Sequence, residues 1–117
     1  MATTARRFHV GSLELVCLTD GHIGLPPESM FPSVPQEDIR ANGMTNAEGL
    51  VQVGFNSLVV RSSGKLVLID TGLGDKPSNP FGGAGGELIE NFRANGLNPD
   101  EIDIVINTHG HPDHVGW

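Results

Sequence analysis

The chain of 117 residues has the length of one small domain, and its 38% apolar residues and 16 glycines argue against disorder. Fourteen acidic against seven basic residues give a net charge of −7, which argues against nucleic acid or an anionic membrane as a partner. No stretch approaches the roughly 18 apolar residues of a membrane span, and no signal-peptide core follows Arg6-Arg7. We therefore predict a cytoplasmic protein with no membrane partner.

The first third of the sequence predicts a hairpin, a loop and a short helix. Residues 7–21, RFHVGSLELVCLTDG, indicate two strands around Gly11-Ser12, with Asp20 as a turn former that ends the second strand. Residues 26–35, PPESMFPSVP, contain four prolines and exclude a helix or a central strand. The following PQEDIRANG predicts a short helix that stops at Asn42-Gly43.

The rest of the chain predicts a second hairpin, then a helix, and then a strand. Residues 58–61 and 66–69 form the hairpin, and the continuous apolar run of 66–69 indicates a strand buried on both faces. A glycine-rich irregular connection covers residues 71–86, and the sequence ELIENFRANG that follows predicts a helix. DIVIN, residues 103–107, predicts a short buried strand, at whose carboxyl end a histidine cluster begins.

That cluster lies in THGHPDHVGW, residues 108–117. In an extended segment His109 and His111 point the same way, toward one point in space. Pro112 favours a helix start, from which Asp113 and His114 would address a second point. Imidazole and carboxylate together suit zinc, iron or manganese. The alternative is a polar loop with surface histidines, but the position directly after a buried strand favours a metal site.

The cluster and its surroundings resemble the metallo-β-lactamase superfamily, whose signature is HxHxDH. Asp70-Thr71-Gly72 at the end of an apolar strand, ANGLNPDEI and DIVINTH follow in that superfamily's order. LTDGHIGLP and HPDHVGW are similar to the branch that holds lactonases and methyl-parathion-hydrolase-like enzymes. The resemblance implies an α/β (α+β) fold, the four-layer αββα sandwich, of which residues 1–117 would be the N-terminal half. The chain would then be a single incomplete domain with its metal-binding loop, 108–117, at the chain end.

The resemblance also implies roles for individual residues. His109 and His111 would bind the first of two zinc ions, and Asp113 and His114 the second, with iron or manganese as alternatives. Asp113 would also be catalytic, taking up a proton during the reaction. Asp70 would lie beneath the site as a hydrogen-bond acceptor that orients a ligand histidine, and the alternative for Asp70 is a simple turn-forming aspartate.

The function implied is that of a metal-dependent hydrolase of a small ester, lactone or phosphotriester. With two ligands for each ion, we expect the 117-residue chain to be inactive by itself and the loop 108–117 to be frayed. Its sheet face would be covered by a missing C-terminal half or by self-association. The alternative function is a non-catalytic metal-binding or protein-interaction module. For the isolated His9 and His22 we predict ordinary structural roles, although His22 could in principle complete a metal site.

Overall fold

A computed structural model describes residues 5–79, 81 and 83–117. In this part of the chain one sheet of five strands has the order β1-β2-β3-β4-β5. The strands are β1 Ala5–Val10, β2 Leu13–Leu25, β3 Val51–Ser62, β4 Lys65–Ile69 and β5 Ile104–Ile106. The helices are α1 Pro27–Met30, α2 Gln36–Ala41, α3 Leu88–Ala94 and a 3₁₀ turn at Pro99–Glu101. The predicted mixture of helix and sheet is confirmed. None of the described helices is long and apolar enough to cross a membrane.

The described residues form two compact units, one up to Gly21 together with Phe55–Trp117, the other His22–Gly54. The core of the first unit lies between one face of its strands and α3. The spacing of Leu88 and Phe92 puts both on one side of α3, where they are almost fully buried. The core side chains are Val16, Leu18, Val59, Leu66, Leu68, Leu88, Phe92 and Leu97.

Both predicted hairpins are confirmed. In the first, β1 and β2 pair antiparallel with Val10 opposite Leu13, around a turn that contains Gly11. In the second, β3 and β4 pair from Ser62 opposite Lys65. Its two turn residues, 63 and 64, have φ of 51° and 76°. Two positive φ angles at a two-residue turn match the twist of the strands, which explains why this turn closes the hairpin.

Burial differs from the prediction in β4 and β5. In β4, buried Leu66 and Leu68 alternate with half-buried neighbours, so only one face is covered and the prediction of burial on both faces is wrong. β5 pairs parallel with β4, and all three of its residues are exposed by 44 to 50%. The prediction of a buried β5 is therefore wrong, because β5 is an edge strand with a neighbour on one side only.

The smaller unit, His22–Gly54, holds both short helices. The predicted α2 is confirmed and ends before Asn42, followed by Gly43 with a φ of 68°. The exclusion of a helix from residues 26–35 is wrong, because α1 occupies four of them. Pro27 lies in the first turn of α1, where a missing backbone N–H removes no helical hydrogen bond.

Candidate functional site

The histidine-rich loop, residues 108–117, begins at the carboxyl end of the parallel strands β4 and β5. The backbone N–H of Asp70, directly after β4, donates to the carbonyl of Ile106 at 2.8 Å, so both strand ends lie together. Residues 112–114 form a turn in which the N–H of His114 donates to the carbonyl of His111. The predicted helix start at Asp113 is wrong, because the N–H of Trp117, which would donate to the carbonyl of Asp113 in a helix, donates to the hydroxyl of Thr71.

Three imidazole rings meet in this loop. The ring centroids of His109 and His111 are 4.7 Å apart, and those of His109 and His114 are 3.9 Å apart. His109 and His111 are exposed, whereas His114 and the neighbouring Asp113 are half-buried. The structure thus places all four predicted metal-binding side chains in one cluster, and their role as ligands stays a prediction.

The buried carboxylate of Asp70 is hydrogen-bonded to residues of this loop. One oxygen of its buried carboxylate lies 2.8 Å from Nδ1 of His114, and the other accepts the backbone N–H of Thr108 at 2.8 Å. Burial, the largest influence, raises the pKa of Asp70, but the hydrogen bonds from the Thr108 N–H, the His114 ring and the Thr108 hydroxyl together outweigh it and lower the pKa. A group held ionised in this way favours an N–H at Nδ1 of His114. The contact implied by the resemblance is present.

Thr108 links Asp70 to a second histidine. Its hydroxyl lies 2.9 and 3.0 Å from the two oxygens of Asp70 and 3.0 Å from Nδ1 of His109. Because a carboxylate only accepts, the hydroxyl donates to Asp70 and can accept from an N–H at Nδ1 of His109. Nε2 of His109 then carries the lone pair. This role of Thr108 was not predicted from the sequence, where its one signal is its place between the strand and the motif.

The donor chemistry of the cluster fits a metal ion. Since Nδ1 of His114 donates to Asp70, a neutral ring has its lone pair at Nε2, which lies 3.2 Å from the Oδ2 atom of Asp113. Two acceptors this close require a proton or a metal cation between them. Ligands of a tetrahedral zinc ion at ordinary bond lengths are about 3.3 Å apart, close to this separation. Among the described residues no group of three or more His, Cys, Asp or Glu is arranged to hold an ion, so the fit applies to the pair of Asp113 and His114.

The loop is fastened to the segment after β4. The N–H of Gly116 donates to the carbonyl of Gly72 at 2.8 Å, and the N–H of Trp117 donates to the hydroxyl of Thr71 at 3.2 Å. A Cβ on Gly116 would lie 2.0 Å from the carbonyl carbon of Leu73, so the two backbones approach as closely as glycine permits. These bonds connect the loop to that segment, and the expectation of a frayed loop stays a prediction.

Asp20 differs from its prediction in both its position and its hydrogen bonds. It is fully buried inside the continuous strand β2, so its prediction as a turn former that ends the strand is wrong. Its Oδ2 accepts the N–H groups of Leu73 and Gly74 at 2.7 and 2.9 Å. Its Oδ1 accepts the N–H of Leu88 and the Nε1–H of Trp117, both at 2.8 Å. One carboxylate therefore joins the glycine-rich connection, the start of α3 and the histidine-rich loop.

The two isolated histidines are exposed. His9 lies on β1 opposite Glu14, and His22 belongs to the smaller unit. Neither ring takes part in the contacts of the cluster described above. Their predicted structural roles stay predictions.

A mixed sheet that presents imidazoles and a carboxylate at the carboxyl edge of its parallel strands defines an α/β protein with a candidate metal site. The family model of the metallo-beta-lactamase superfamily matches residues 52–117. The chain therefore belongs to this superfamily. The resemblance noted from the sequence and the predicted fold class are both confirmed at this level.

Solved structures and a curated relative extend the comparison. Hydrolase AbOPH of the beta lactamase superfamily superposes with a TM-score of 0.80 at 27% identity, over 97% of this chain and 38% of that one. AidC, a dizinc quorum-quenching lactonase, gives 0.76 at 28% identity, over 96% and 38%. Metallo-beta-lactamase domain-containing protein 1 of Mus musculus is 38% identical over 50 residues, 43% of this chain and 16% of that protein. The chain thus spans less than half the length of these relatives.

Proposed function

We propose that this chain forms the first part of a metal-dependent hydrolase that acts on a small ester, lactone or phosphotriester. The observation that carries the proposal is the cluster of His109, His111, Asp113 and His114 with the Asp70 carboxylate 2.8 Å from Nδ1 of His114. Its similarity to AbOPH and to the lactonase AidC, at 27 and 28% identity, supports hydrolysis and the lactonase-like branch.

Each residue of the cluster has a part in the proposal. Two bound metal ions, zinc by analogy with the dizinc AidC and iron or manganese as alternatives, would polarise the scissile bond and supply a nucleophile near neutral pH. Asp70 fixes the ring orientation of His114 directly and that of His109 through the hydroxyl of Thr108. Asp113, half-buried beside His114, is the group that would take up and return a proton.

The charge of the chain supports a small-molecule substrate. With a net charge of −7 and its seven basic residues scattered along the sequence, the chain is poorly suited to attract a nucleic acid, so a nuclease is disfavoured. The same charge disfavours an anionic membrane as a partner.

The test is an assay of the product of the complete reading frame that contains this sequence. Its substrates are lactones, aryl esters, β-lactams, phosphotriesters and RNA. We expect hydrolysis of a lactone, an aryl ester or a phosphotriester. His114→Ala should abolish that activity, while His9→Ala, which removes an exposed histidine from β1, should leave it unchanged. A preference for RNA, or equal activity of the His114→Ala variant, would refute the proposal.

A second candidate is a non-catalytic metal-binding or interaction module. It is favoured by the absence, among the described residues, of a group of three or more side chains placed to hold an ion, and by the exposed residues of β5. Such a module would bind zinc or associate through β5 and hydrolyse none of the panel. Sedimentation of the purified protein with and without zinc, beside the same substrate panel, separates the two candidates.

A further inference from the structure

We propose that Asp20 is a positioning residue of the metal site, acting through the Nε1–H of Trp117 and through the backbone on which the histidine-rich loop rests. Asp20 contacts none of the four predicted ligands in the bonds described above, and its effect is on the backbone that carries them. The inference rests on the proposed function for its metal-binding consequence, while its structural part can be measured without any metal.

The first connection runs through the side chain of Trp117. The indole N–H donates to Oδ1 of Asp20 at 2.8 Å, although the tryptophan side chain remains 40% exposed. Packing of the partly buried ring does not by itself give the indole N–H an acceptor, and the charged, buried carboxylate of Asp20 supplies one and thereby fixes the orientation of the ring. Trp117 lies three residues after His114, and its own backbone N–H donates to the hydroxyl of Thr71.

The second connection runs through the glycine-rich connection. The other oxygen of Asp20 accepts the N–H groups of Leu73 and Gly74, and this fixes the backbone against which Gly116 packs. The N–H of Gly116 in turn donates to the carbonyl of Gly72. The loop is therefore held on both sides by bonds that converge on one carboxylate.

This arrangement matters because Asp113 and His114 directly precede the anchored segment of Gly116 and Trp117. The carbonyl of His114 accepts from the N–H of Thr71, so a shift of the anchored backbone would move the ring of His114 relative to Asp70. Groups bonded directly to metal ligands typically contribute 10- to 100-fold to metal affinity, and for the indirect action of Asp20 we expect the lower end of this range.

The test uses Trp117→Phe in the 117-residue chain, because this change removes the indole N–H and keeps an aromatic ring. In the metal-free chain, we expect hydrogen exchange of the Thr71 and Gly116 amides to accelerate at least about tenfold. Calorimetric titration should show zinc affinity reduced by about tenfold. The control is Val59→Ala, a change on β3 that lowers the melting temperature and lies in a core cluster without any residue of the loop.

The outcomes are distinct. Exchange of the Thr71 and Gly116 amides equal to that of the unchanged chain, or an equal acceleration in Val59→Ala, would overturn the positioning role. Faster exchange with unaltered zinc affinity would overturn its connection to the metal site. If the unchanged chain binds no zinc at all, the metal-binding consequence is refuted for this chain, the proposed function is still decided by the assay of the complete reading frame, and the exchange data decide whether the bond between Asp20 and Trp117 fastens the loop.

Discussion

Replacing Asp20 by asparagine is the most informative single change in this chain. Asparagine keeps the shape of the side chain and one acceptor oxygen but presents an NH₂ group where the second oxygen was. Four N–H groups converge on the carboxylate, two at each oxygen. Whichever way the amide is turned, two of these donors must face another donor.

The size of the stability loss depends on which pair of N–H donors loses its acceptor. Leu73 and Gly74 are both buried, so the amide should turn its NH₂ toward Leu88 and Trp117, where the 40% exposed indole can regain a bond to water. The N–H of Leu88, a residue only 1% exposed, is then left unsatisfied at a cost of about 1 to 3 kcal/mol. The lost indole bond adds roughly 0.5 to 1.5 kcal/mol, and the lost negative charge at the start of α3 adds about 0.3 to 1 kcal/mol. We expect a total loss of roughly 2 to 5 kcal/mol from the free energy of unfolding.

Two signals report this change. Urea unfolding followed by circular dichroism gives the free energy, and the melting temperature should fall by at least about 8 °C. Trp117 is the one tryptophan of the sequence, so its fluorescence emission should shift to longer wavelength as its bond to Asp20 is lost. The matched control is Asp100→Asn, the same chemical change at an exposed position, with an expected effect within about 0.5 kcal/mol. A loss for Asp20→Asn no larger than that of the control, with unchanged emission, would refute the reasoning.

Three further predictions concern the loop and its ligands. Gly116→Ala should destabilise the chain by about 1 to 3 kcal/mol in urea unfolding, because the new Cβ would lie 2.0 Å from the backbone of Leu73. The control, Gly110→Ala, should be neutral, because nothing lies within 4 Å of its Cβ position. Equal effects of the two changes would contradict the packing argument. Thr108→Val should weaken zinc binding about tenfold in calorimetry, since it removes only the hydroxyl between Asp70 and His109, and unaltered affinity would show that this bond is not needed. The 117-residue chain should bind zinc weakly and hydrolyse no lactone or ester measurably, because pairs of ligands do not fix an ion. The weak zinc binding should be lost in His109→Ala. Strong turnover of a lactone or ester by the monomeric chain would contradict this prediction.

The parts of the fold that the sequence predicted correctly are those set by neighbouring residues. The turn around Gly11-Ser12 and the turn at residues 63 and 64 depend on backbone conformations that nearby glycines supply. The helix α3 follows from the spacing of Leu88 and Phe92, which places both on one face. These signals lie within a few residues of the element they specify.

The errors arose where distant parts of the chain decide the outcome. The apolar run of β5 gives the same pattern whether the strand is central or at an edge, and only the sheet order shows that it is at the edge. The segment LTDG has the composition of a turn, yet the partners of the Asp20 carboxylate lie 53 to 97 residues further along the chain. No local pattern could reveal them.

Asp20 and Asp70 illustrate what a motif does and does not specify about a site. Both had the simple reading of a turn-forming residue, and both are buried acceptors that receive several hydrogen bonds. Asp70 contacts His114 directly and His109 through Thr108, so it acts on ring orientation and tautomer. Asp20 bonds only to backbone N–H groups and an indole in the contacts described, so it acts on where the loop lies. The cluster of four ligand-type side chains was visible in the sequence because its members are adjacent. The two carboxylates that orient and fasten it are assembled by the sheet, and this is why the support of the site required the structure.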